Sequence, residues 1–209
     1  MEKSQYILNT IENYLNDLAS NLPAPGGGSA AALVASAGVS CLLMVANFTV
    51  NKKGYEQHQQ EIKKIIEELN QLKKELQQYV DKDVQAYLEV SKAYKLPKNT
   101  PLDIEIRNKQ IKLACEEAAK VAFDVMDLSH KCISYSERLL KIGNQNLITD
   151  IACGVIFLLA GIQAAKYNVV INLKNLPKTS FVVEKKKQIK RIITDAKIIT
   201  KKVLQKIKI

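Results

Sequence analysis

The sequence predicts an all-α protein, an up-and-down antiparallel bundle of five to six helices. Three observations favour this fold class. Apolar residues recur at intervals of three and four, the period of an α-helix, and no stretch shows the clear period of two that a half-buried strand requires. Only 8 of the 209 residues are glycine and 5 are proline, so few positions interrupt a helix. The length of 209 residues suits one domain, and 47% apolar residues are enough for its core, so we expect residues 1–209 to form a single domain.

Proline, glycine and asparagine divide the chain into the expected helices. In the third segment the apolar positions follow spacings of three and four without interruption, which indicates a heptad seam that faces partner helices. The expected helices are Ser4–Leu18, about residues 30–50, Tyr55–Tyr94, Leu102–Leu140, Leu147–Tyr167 and a basic C-terminal helix at about 178–209.

The second expected helix lies in a stretch without any charged residue, Leu18–Asn51. Its central part, Ala30–Val50, is long enough to cross a bilayer. The stretch is rich in alanine, serine and glycine, however, which drive membrane insertion poorly and let helices approach closely. We therefore expect no membrane contact, and a helix that is buried on all sides, as at a subunit interface.

The positive charge of the chain is concentrated at its C-terminal end. The net charge is +10, and residues 178–209 carry 11 basic and two acidic residues, which account for +9. One interpretation is a non-enzymatic helical scaffold whose basic helix binds nucleic acid or anionic lipid. We favour the alternative, a solvated lysine-rich face without a nucleic-acid partner, because the chain has few aromatic residues and no tryptophan.

Cysteine and histidine usage argues against several kinds of site. The four cysteines form no C-x-x-C pair and lie in apolar runs, which indicates buried free thiols. The N-terminal sequence shows no apolar signal core, so we expect a cytoplasmic protein. His58 and His130 have no histidine or cysteine partner three or four positions away, so neither a metal site nor a serine–histidine triad is expected.

Two aspartates are candidate catalytic residues because they interrupt apolar patterns. Asp83 occupies an apolar position of the heptad seam, where a carboxylate is unfavourable unless it is paired or hydrogen-bonded. It is therefore either a functional acid or a structural residue bonded to a neighbour. Asp150 lies at the start of the fifth expected helix, where a favourable interaction with the helix dipole is an alternative explanation.

Glycine and asparagine residues predict a binding surface. Free backbone amides ahead of the second helix suit an anion or a carbonyl group, although the motif lacks the lysine of a P-loop. Asn168 shares a helix face with Asp150 if the fifth helix continues, and Asn172 lies one turn further on. Helix termination and capping are the alternative explanation for both asparagines. The run ahead of the second helix is Gly26, Gly27, Gly28 and Ser29.

Several segments, taken in their order, carry a family resemblance. They are PAPGGGSAAAL, LLMVANFT, VDKDVQAYLEV, LACEEAAKVAFDVM, GNQNLITDIACG and YNVVINL, and they cover about Ser4–Leu173. This chain resembles the cyclodeaminase domain of formimidoyltransferase-cyclodeaminase, which also occurs alone as a methenyltetrahydrofolate cyclohydrolase. Thr149-Asp150 stands where the family often has Ser-Asp, and Ala122-Phe123 stands where it often has proline.

The resemblance implies an all-α homodimer with a folate site near the dimer interface, without a metal and without a cofactor beyond the tetrahydrofolate substrate, which can be polyglutamylated. It implies hydrolysis of 5,10-methenyltetrahydrofolate or, alternatively, deamination of 5-formimidoyltetrahydrofolate. The basic helix would then have a third use, attraction of the substrate's glutamate carboxylates. We expect Asp83 and Asp150 to be catalytic, with Asp83 as the base. The expected substrate-binding residues are Gly26, Gly27, Gly28, Ser29, Asn47, Asn144, Asn168 and Asn172.

Overall fold

The computed structural model describes residues 5–207, which contain seven α-helices, three short 3-10 turns and no β-strand. The all-α fold class is therefore confirmed. The 3-10 turns are Tyr6–Leu8, Glu56–His58 and Gln145–Leu147. The helices are α1 (Ile11–Leu18), α2 (Gly27–Asn47), α3 (Gln59–Tyr94), α4 (Pro101–Ser134), α5 (Ser136–Ile142), α6 (Ile148–Lys174) and α7 (Ser180–Lys206).

Four long helices form the core of the bundle. α2, α3, α4 and α6 pack around one apolar interior in which neighbouring helices run antiparallel, and α7 packs against α4 and α6. Burial of each large aliphatic side chain contributes roughly 1.5–3 kcal/mol, so this interior is the main source of the bundle's stability. Its fully buried side chains include Leu42, Ile62, Leu69, Leu76, Met126, Ile133, Ile151, Leu158 and Ile162.

Glycines bring α2 and α6 into close contact. A Cβ atom at Gly38 would lie 2.9 Å from the carbonyl oxygen of Gly154, and one at Gly154 would lie 3.1 Å from the carbonyl oxygen of Gly38. Neither position has room for a larger residue, which explains the small residues of the uncharged stretch. The same antiparallel register sets Gly27 beside Asn168. The start of α2 therefore lies next to the last turns of α6.

Two predicted helices are interrupted. The first predicted helix is wrong as a single unit, because Thr10 caps α1: its Oγ1 accepts a hydrogen bond from the Asn13 N–H at 3.1 Å. Ser4, where that helix was predicted to begin, lies outside the described residues. The fourth predicted helix is divided into α4 and α5 at Tyr135, whose N–H bonds to Cys132 O, three residues earlier.

The fifth predicted helix is longer than expected. α6 continues past Tyr167 because Val169 and Leu173 extend its buried apolar stripe. Asn168 and Asn172 consequently lie inside the helix, which excludes helix termination as the explanation for their presence. Their position on α6 determines where they meet α2.

α7 has the predicted amphipathic form. One stripe of its apolar positions is buried against α4 and α6, whereas its lysines lie mostly at the surface. The basic C-terminal segment is therefore a packed part of the bundle up to Ile207. The buried positions are Val182, Ile189, Ile192, Ala196, Thr200 and Val203.

The outer side of α2 and α6 exposes apolar side chains. Exposed apolar side chains that lie together usually mark a contact site. By length and composition alone, α2 and the segment Gln145–Lys174 are also apolar enough to cross a membrane, a test that core helices of soluble proteins pass as well. The exposed side chains are Val34, Met44, Phe48, Ile156, Phe157, Tyr167 and Ile171.

Candidate active site

The amino-terminal end of α2 receives a carboxylate from α3. Gly26 caps α2 without a side-chain hydrogen bond, so the first backbone amides of the helix need another partner. Asp83 provides one, because the Ser29 N–H hydrogen-bonds to its carboxylate. A Cβ atom at Gly28 would lie 2.5 Å from Asp83 Cγ, so only glycine lets the carboxylate reach the helix end.

Burial dominates the electrostatics of Asp83. Removal from water raises the pKa of its carboxyl to about 6, while the hydrogen bond from the Ser29 amide acts in the opposite direction. The positive end of the α2 dipole also favours the anion. The result is a carboxyl group that titrates close to neutral pH, where it can both accept and return a proton.

The side chain of Ser29 is hydrogen-bonded to a buried tyrosine of α1. The Tyr14 hydroxyl donates a hydrogen bond to Ser29 Oγ at 3.1 Å, and the two side chains are 3% and 0% exposed. Burial raises the pKa of Tyr14, so the phenol stays protonated. From the sequence pattern Tyr14 is only one member of an apolar stripe. The one feature of the sequence that indicates a special role for Tyr14 is its hydroxyl, because the other residues of this stripe are aliphatic.

The segment before α1 is fastened to α3 beside the site. Asp81 accepts hydrogen bonds from the backbone N–H groups of Tyr6 and Ile7, at 2.6 and 3.3 Å. The Tyr6 hydroxyl in turn lies within hydrogen-bond distance of Asp17 Oδ2, at 3.1 Å, and of the carbonyl oxygen of Ala24, at 3.3 Å. These contacts hold the loop that leads into α2 and thereby fix where its glycines lie.

A cleft of about 340 Å³ opens beside Asp83, between the loop before α2 and the helices α3, α4 and α6. Asp83 is the only charged side chain among the lining residues that the structure describes. Within residues 5–207, no three His, Cys, Asp or Glu side chains are grouped closely enough to hold a metal ion. Six predicted site residues line the cleft: Gly26, Gly27, Gly28, Asp83, Asn168 and Asn172.

The two asparagines offer hydrogen-bond acceptors to the cleft. Asn168 Nδ2 donates to Ala164 O at 3.2 Å, and Asn172 Nδ2 donates to Asn168 O at 2.8 Å. Each amide nitrogen is thus engaged within α6, which leaves the Oδ1 atoms to accept hydrogen bonds from a ligand. Ser29 lies just behind the wall and contributes its backbone amide, since its side chain is buried against Tyr14.

Asn144 and Asn47 lie at the other end of α2, outside this cleft. Asn144 is buried, and its N–H donates to Thr49 Oγ1 at 2.9 Å. Asn47 is exposed and is the last residue of α2. Within one chain, neither residue contributes to the surface around Asp83, and their predicted role in substrate binding stays a prediction.

Asp150 also lies far from the cleft. It occupies the first turn of α6, as predicted, and is close to Cys41. Burial, and then the neighbouring Cys153 and Asp150, raise the pKa of the Cys41 thiol. Asp150 and Asn168 are separated by five turns of α6, about 27 Å at the usual helix rise. A single chain therefore does not bring them together.

Comparison with known proteins agrees with this arrangement. The family model described as formiminotransferase-cyclodeaminase matches residues 10–191, which include α2, α3, α4 and α6. The chain belongs to this family. The family resemblance predicted from the ordered sequence segments is thereby confirmed.

Relatives of this chain carry two different names. Methenyltetrahydrofolate cyclohydrolase of Methylorubrum extorquens is 32% identical over 199 residues, which cover 95% of this chain and 96% of the relative. Formimidoyltransferase-cyclodeaminase of Gallus gallus is 32% identical over 174 residues, which cover 83% of this chain and 32% of the relative. The chain thus spans about a third of that longer protein.

A solved structure shares the whole fold. The crystal structure of formiminotetrahydrofolate cyclodeaminase from Thermotoga maritima matches with a TM-score of 0.83 at 29% identity. The match covers 95% of this chain and 96% of the other chain. The arrangement of helices described above is therefore common to both proteins.

Proposed function

We propose that this enzyme hydrolyses 5,10-methenyltetrahydrofolate to 10-formyltetrahydrofolate in one-carbon metabolism. The observation that carries the proposal is Asp83, a largely buried carboxyl group with a pKa of about 6 that faces a cleft lined by glycines and asparagines. The relative that matches this chain almost from end to end is named for the same reaction. The bare helix end beside Asp83 lets a flat ring approach the backbone closely.

Asp83 supplies the proton transfers of the proposed mechanism. The ionised carboxylate takes a proton from a water molecule while the oxygen of that water bonds to the electrophilic carbon between N5 and N10. The protonated Asp83 then returns that proton to N5 as the bond between N5 and this carbon breaks. The new hydroxyl loses its proton to solvent and becomes the formyl oxygen on N10, so one proton is released overall.

The substrate itself provides the electrophile. The amidinium carbon of 5,10-methenyltetrahydrofolate carries a delocalised positive charge, so the reaction that we propose requires neither a metal nor a further cofactor. Asp83 also stabilises this cation by its negative charge, which burial largely removes from water. Acceptors on Asn168 and Asn172 suit the N–H groups of the pterin ring.

Deamination of 5-formimidoyltetrahydrofolate is the alternative that the names of other relatives support. In this reaction N10 attacks the formimidoyl carbon and ammonia leaves. The N10 proton and one proton from the acid accompany the leaving nitrogen, and 5,10-methenyltetrahydrofolate is formed. A group that both accepts and donates protons near neutral pH serves either reaction, so Asp83 keeps its role in both.

The absorbance of 5,10-methenyltetrahydrofolate in the near ultraviolet separates the two reactions. We expect the protein to accelerate loss of this absorbance above the spontaneous rate, and we expect Asp83→Asn to abolish the acceleration. Appearance of the absorbance from 5-formimidoyltetrahydrofolate, without accelerated hydrolysis, would assign the chain to the deaminase reaction. If the protein changes the absorbance in neither assay, the result would contradict the proposal and favour a non-enzymatic scaffold.

We also propose that the protein is a cytoplasmic homodimer that buries the exposed apolar side of α2 and α6. Phe48, Tyr167 and Ile171 are 60%, 67% and 55% exposed in a single chain, which is unfavourable for apolar side chains of this size. A self-complementary contact across a two-fold axis would cover the same surface on both chains.

Such a contact would place the amino-terminal end of α6 in one chain near the carboxy-terminal end of α6 in the other chain. The large exposed apolar side chains of α6 extend from Ile156 to Ile171, so a two-fold axis between these residues would set the Asp150 end of one chain towards the Asn168 end of the other. The predicted roles of Asp150 and Asn168 in one site would then be compatible. Sedimentation equilibrium tests this proposal: we expect a dimer that Ile156→Lys weakens, and a wild-type monomer would contradict it.

A further inference from the structure

The cleft leaves one part of a folate without a counter-charge. A folate carries two carboxylates on its glutamate, at the end opposite the pterin. Asp83 is the only charged side chain among the described residues that line the cleft, and it has the wrong sign to bind them. A carboxylate needs a cation, and an arginine guanidinium is the cation best shaped for it.

One face of α3 leads from Asp83 out of the cleft. Asp83, Tyr87, Val90 and Tyr94 follow at intervals of four, three and four, so they lie on one side of the helix. Asp83, Tyr87 and Val90 line the cleft. Tyr94 therefore lies one turn beyond its rim, about 16 Å from Asp83 along the helix axis.

One face of α4 runs alongside and ends at the same level. Arg107, Ile111, Cys115 and Ala118 follow at intervals of four, four and three. Ala118 lines the cleft, and Cys115 contacts Asn175, another lining residue, at 3.7 Å. Arg107 therefore lies on the face of α4 that packs against α3, between the cleft at Ala118 and the groove on the other side of the α3–α4 pair, which contains Ile106, Gln110 and Ala114.

Contacts with α3 hold the Arg107 guanidinium but do not neutralise it. Its Nη2 donates to the Tyr94 carbonyl oxygen at 3.3 Å, and its Cζ lies 5.6 Å from the centre of the Tyr94 ring. Its Nε is buried and has no hydrogen-bond partner within residues 5–207. Nη2 makes the one hydrogen bond recorded for this side chain among the described residues, so the outer nitrogens of the guanidinium keep donors that a carboxylate can accept.

We infer that Arg107, held against Tyr94, binds the glutamate carboxylate of the folate substrate. The inference rests on the proposed function. The p-aminobenzoylglutamate arm of a folate extends roughly 10–13 Å beyond the reacting carbon by ordinary bond lengths. Together with the contact distances at each end, this length spans the interval from Asp83 to Arg107. Tyr87 and Val90 lie between the two ends and suit the aromatic ring of that arm.

The test compares a substrate with and without its glutamate. Arg107→Gln removes the charge, and we expect the KM for 5,10-methenyltetrahydrofolate to rise about tenfold with little change in kcat. For 5,10-methenyltetrahydropteroate, which ends at the benzoate and has no glutamate, we expect the same KM in both proteins. Lys63→Gln, which also removes one positive charge but on the exposed surface of α3, should alter neither value.

Direct binding keeps this inference separate from the proposed reaction. We expect calorimetry to show about tenfold weaker binding of 5-formyltetrahydrofolate by Arg107→Gln, and unchanged binding of 5-formyltetrahydropteroate. This pattern in a protein without hydrolase activity would overturn the reaction and retain the carboxylate site. Equal effects on both compounds, or no effect on either, would overturn the carboxylate site even if hydrolysis is observed.

Discussion

The two ends of α2 each meet a charged side chain of the sign that suits the helix dipole, but only one of them faces a cleft. At the amino end, the Asp83 carboxylate accepts from the Ser29 amide and borders open space. At the carboxyl end, Lys52 Nζ donates to Asn144 Oδ1 at 2.9 Å, and Asn144 Nδ2 donates to Phe48 O at 3.4 Å. The protein satisfies the second set of polar groups entirely by itself.

The difference between these ends separates a site from a structural cap. Asn144 is 5% exposed and has protein partners at its N–H, its Oδ1 and its Nδ2. Asp83 has a buried carboxyl with a raised pKa, which is unfavourable for folding at neutral pH and is typical of a functional group. We therefore expect changes at the amino end to affect catalysis and changes at the carboxyl end to affect stability.

Gly28 is the position at the amino end of α2 where we expect the largest effect on activity. We expect Gly28→Ala to lower kcat about 100-fold, because the new Cβ would displace the Asp83 carboxylate from the helix end. Gly27→Ala is the matched control for kcat, since its Cβ would lie 3.8 Å from Asn168 Nδ2 and would not meet Asp83. Because Gly27 lines the cleft, we expect its effect to appear in KM instead. Steady-state hydrolysis rates measure both. Similar activity in the two variants would contradict the contact between Gly28 and Asp83.

Asp83→Asn should raise stability while it removes activity. The folded pKa of Asp83 is about 6 and lies above its usual value of 3.8, so the wild type loses stability as pH rises between these values. The amide does not ionise. We expect the variant to gain up to about 3 kcal/mol over the wild type above pH 7, and little below pH 4.

Urea unfolding at pH 4 and at pH 7.5 measures this gain. Asp81→Asn is the matched carboxylate change two residues earlier on α3, where the side chain accepts hydrogen bonds from Tyr6 and Ile7. We expect this control to lose stability at neutral pH. A gain for Asp83→Asn that does not depend on pH would contradict the burial of an ionised carboxylate.

Asn144→Ala should affect the other end of α2 in the opposite way. The change removes the partner of Lys52 and of the Phe48 carbonyl group. We expect a loss of about 1–3 kcal/mol in the free energy of unfolding. The pH dependence of hydrolysis should keep its midpoint, because Asp83 lies at the far end of the helix. A displaced midpoint with unchanged stability would reverse the assignment of the two ends.

Tyr14→Phe should produce the smallest effect. It removes only the hydroxyl that bonds to Ser29 Oγ, so we expect a loss of about 1 kcal/mol in stability. Weaker support of the Ser29 amide should also raise the pKa of Asp83, which carbon-13 NMR of labelled aspartate can follow. Tyr135→Phe is the control, because it removes the bond to Glu68 elsewhere in the bundle. Identical Asp83 titration in Tyr14→Phe and the wild type would contradict the supporting role of Tyr14.

The sequence predicts the helices and half of the site for physical reasons that are local. Helical periodicity identifies the apolar interior, and a carboxylate in a heptad seam identifies Asp83. The partners of Asp83 belong to α2, so neither the contact with Gly28 nor the bond from Ser29 follows from local patterns. The sequence does not show which asparagine has all its hydrogen bonds within the protein. Only tertiary contacts distinguish Asn144, whose polar groups are satisfied, from Asn168, which faces the cleft.

In the mechanism that we propose, Asp83, buried at the amino end of α2, transfers the protons of the reaction. The pH dependence of kcat/KM for 5,10-methenyltetrahydrofolate hydrolysis, corrected for the spontaneous rate, tests it most directly. We expect activity to rise with pH through a midpoint near 6, where Asp83 ionises, and we expect Asp83→Asn to show at least a 100-fold lower rate without that midpoint. A midpoint that persists in Asp83→Asn, or a variant with wild-type activity, would contradict the claim.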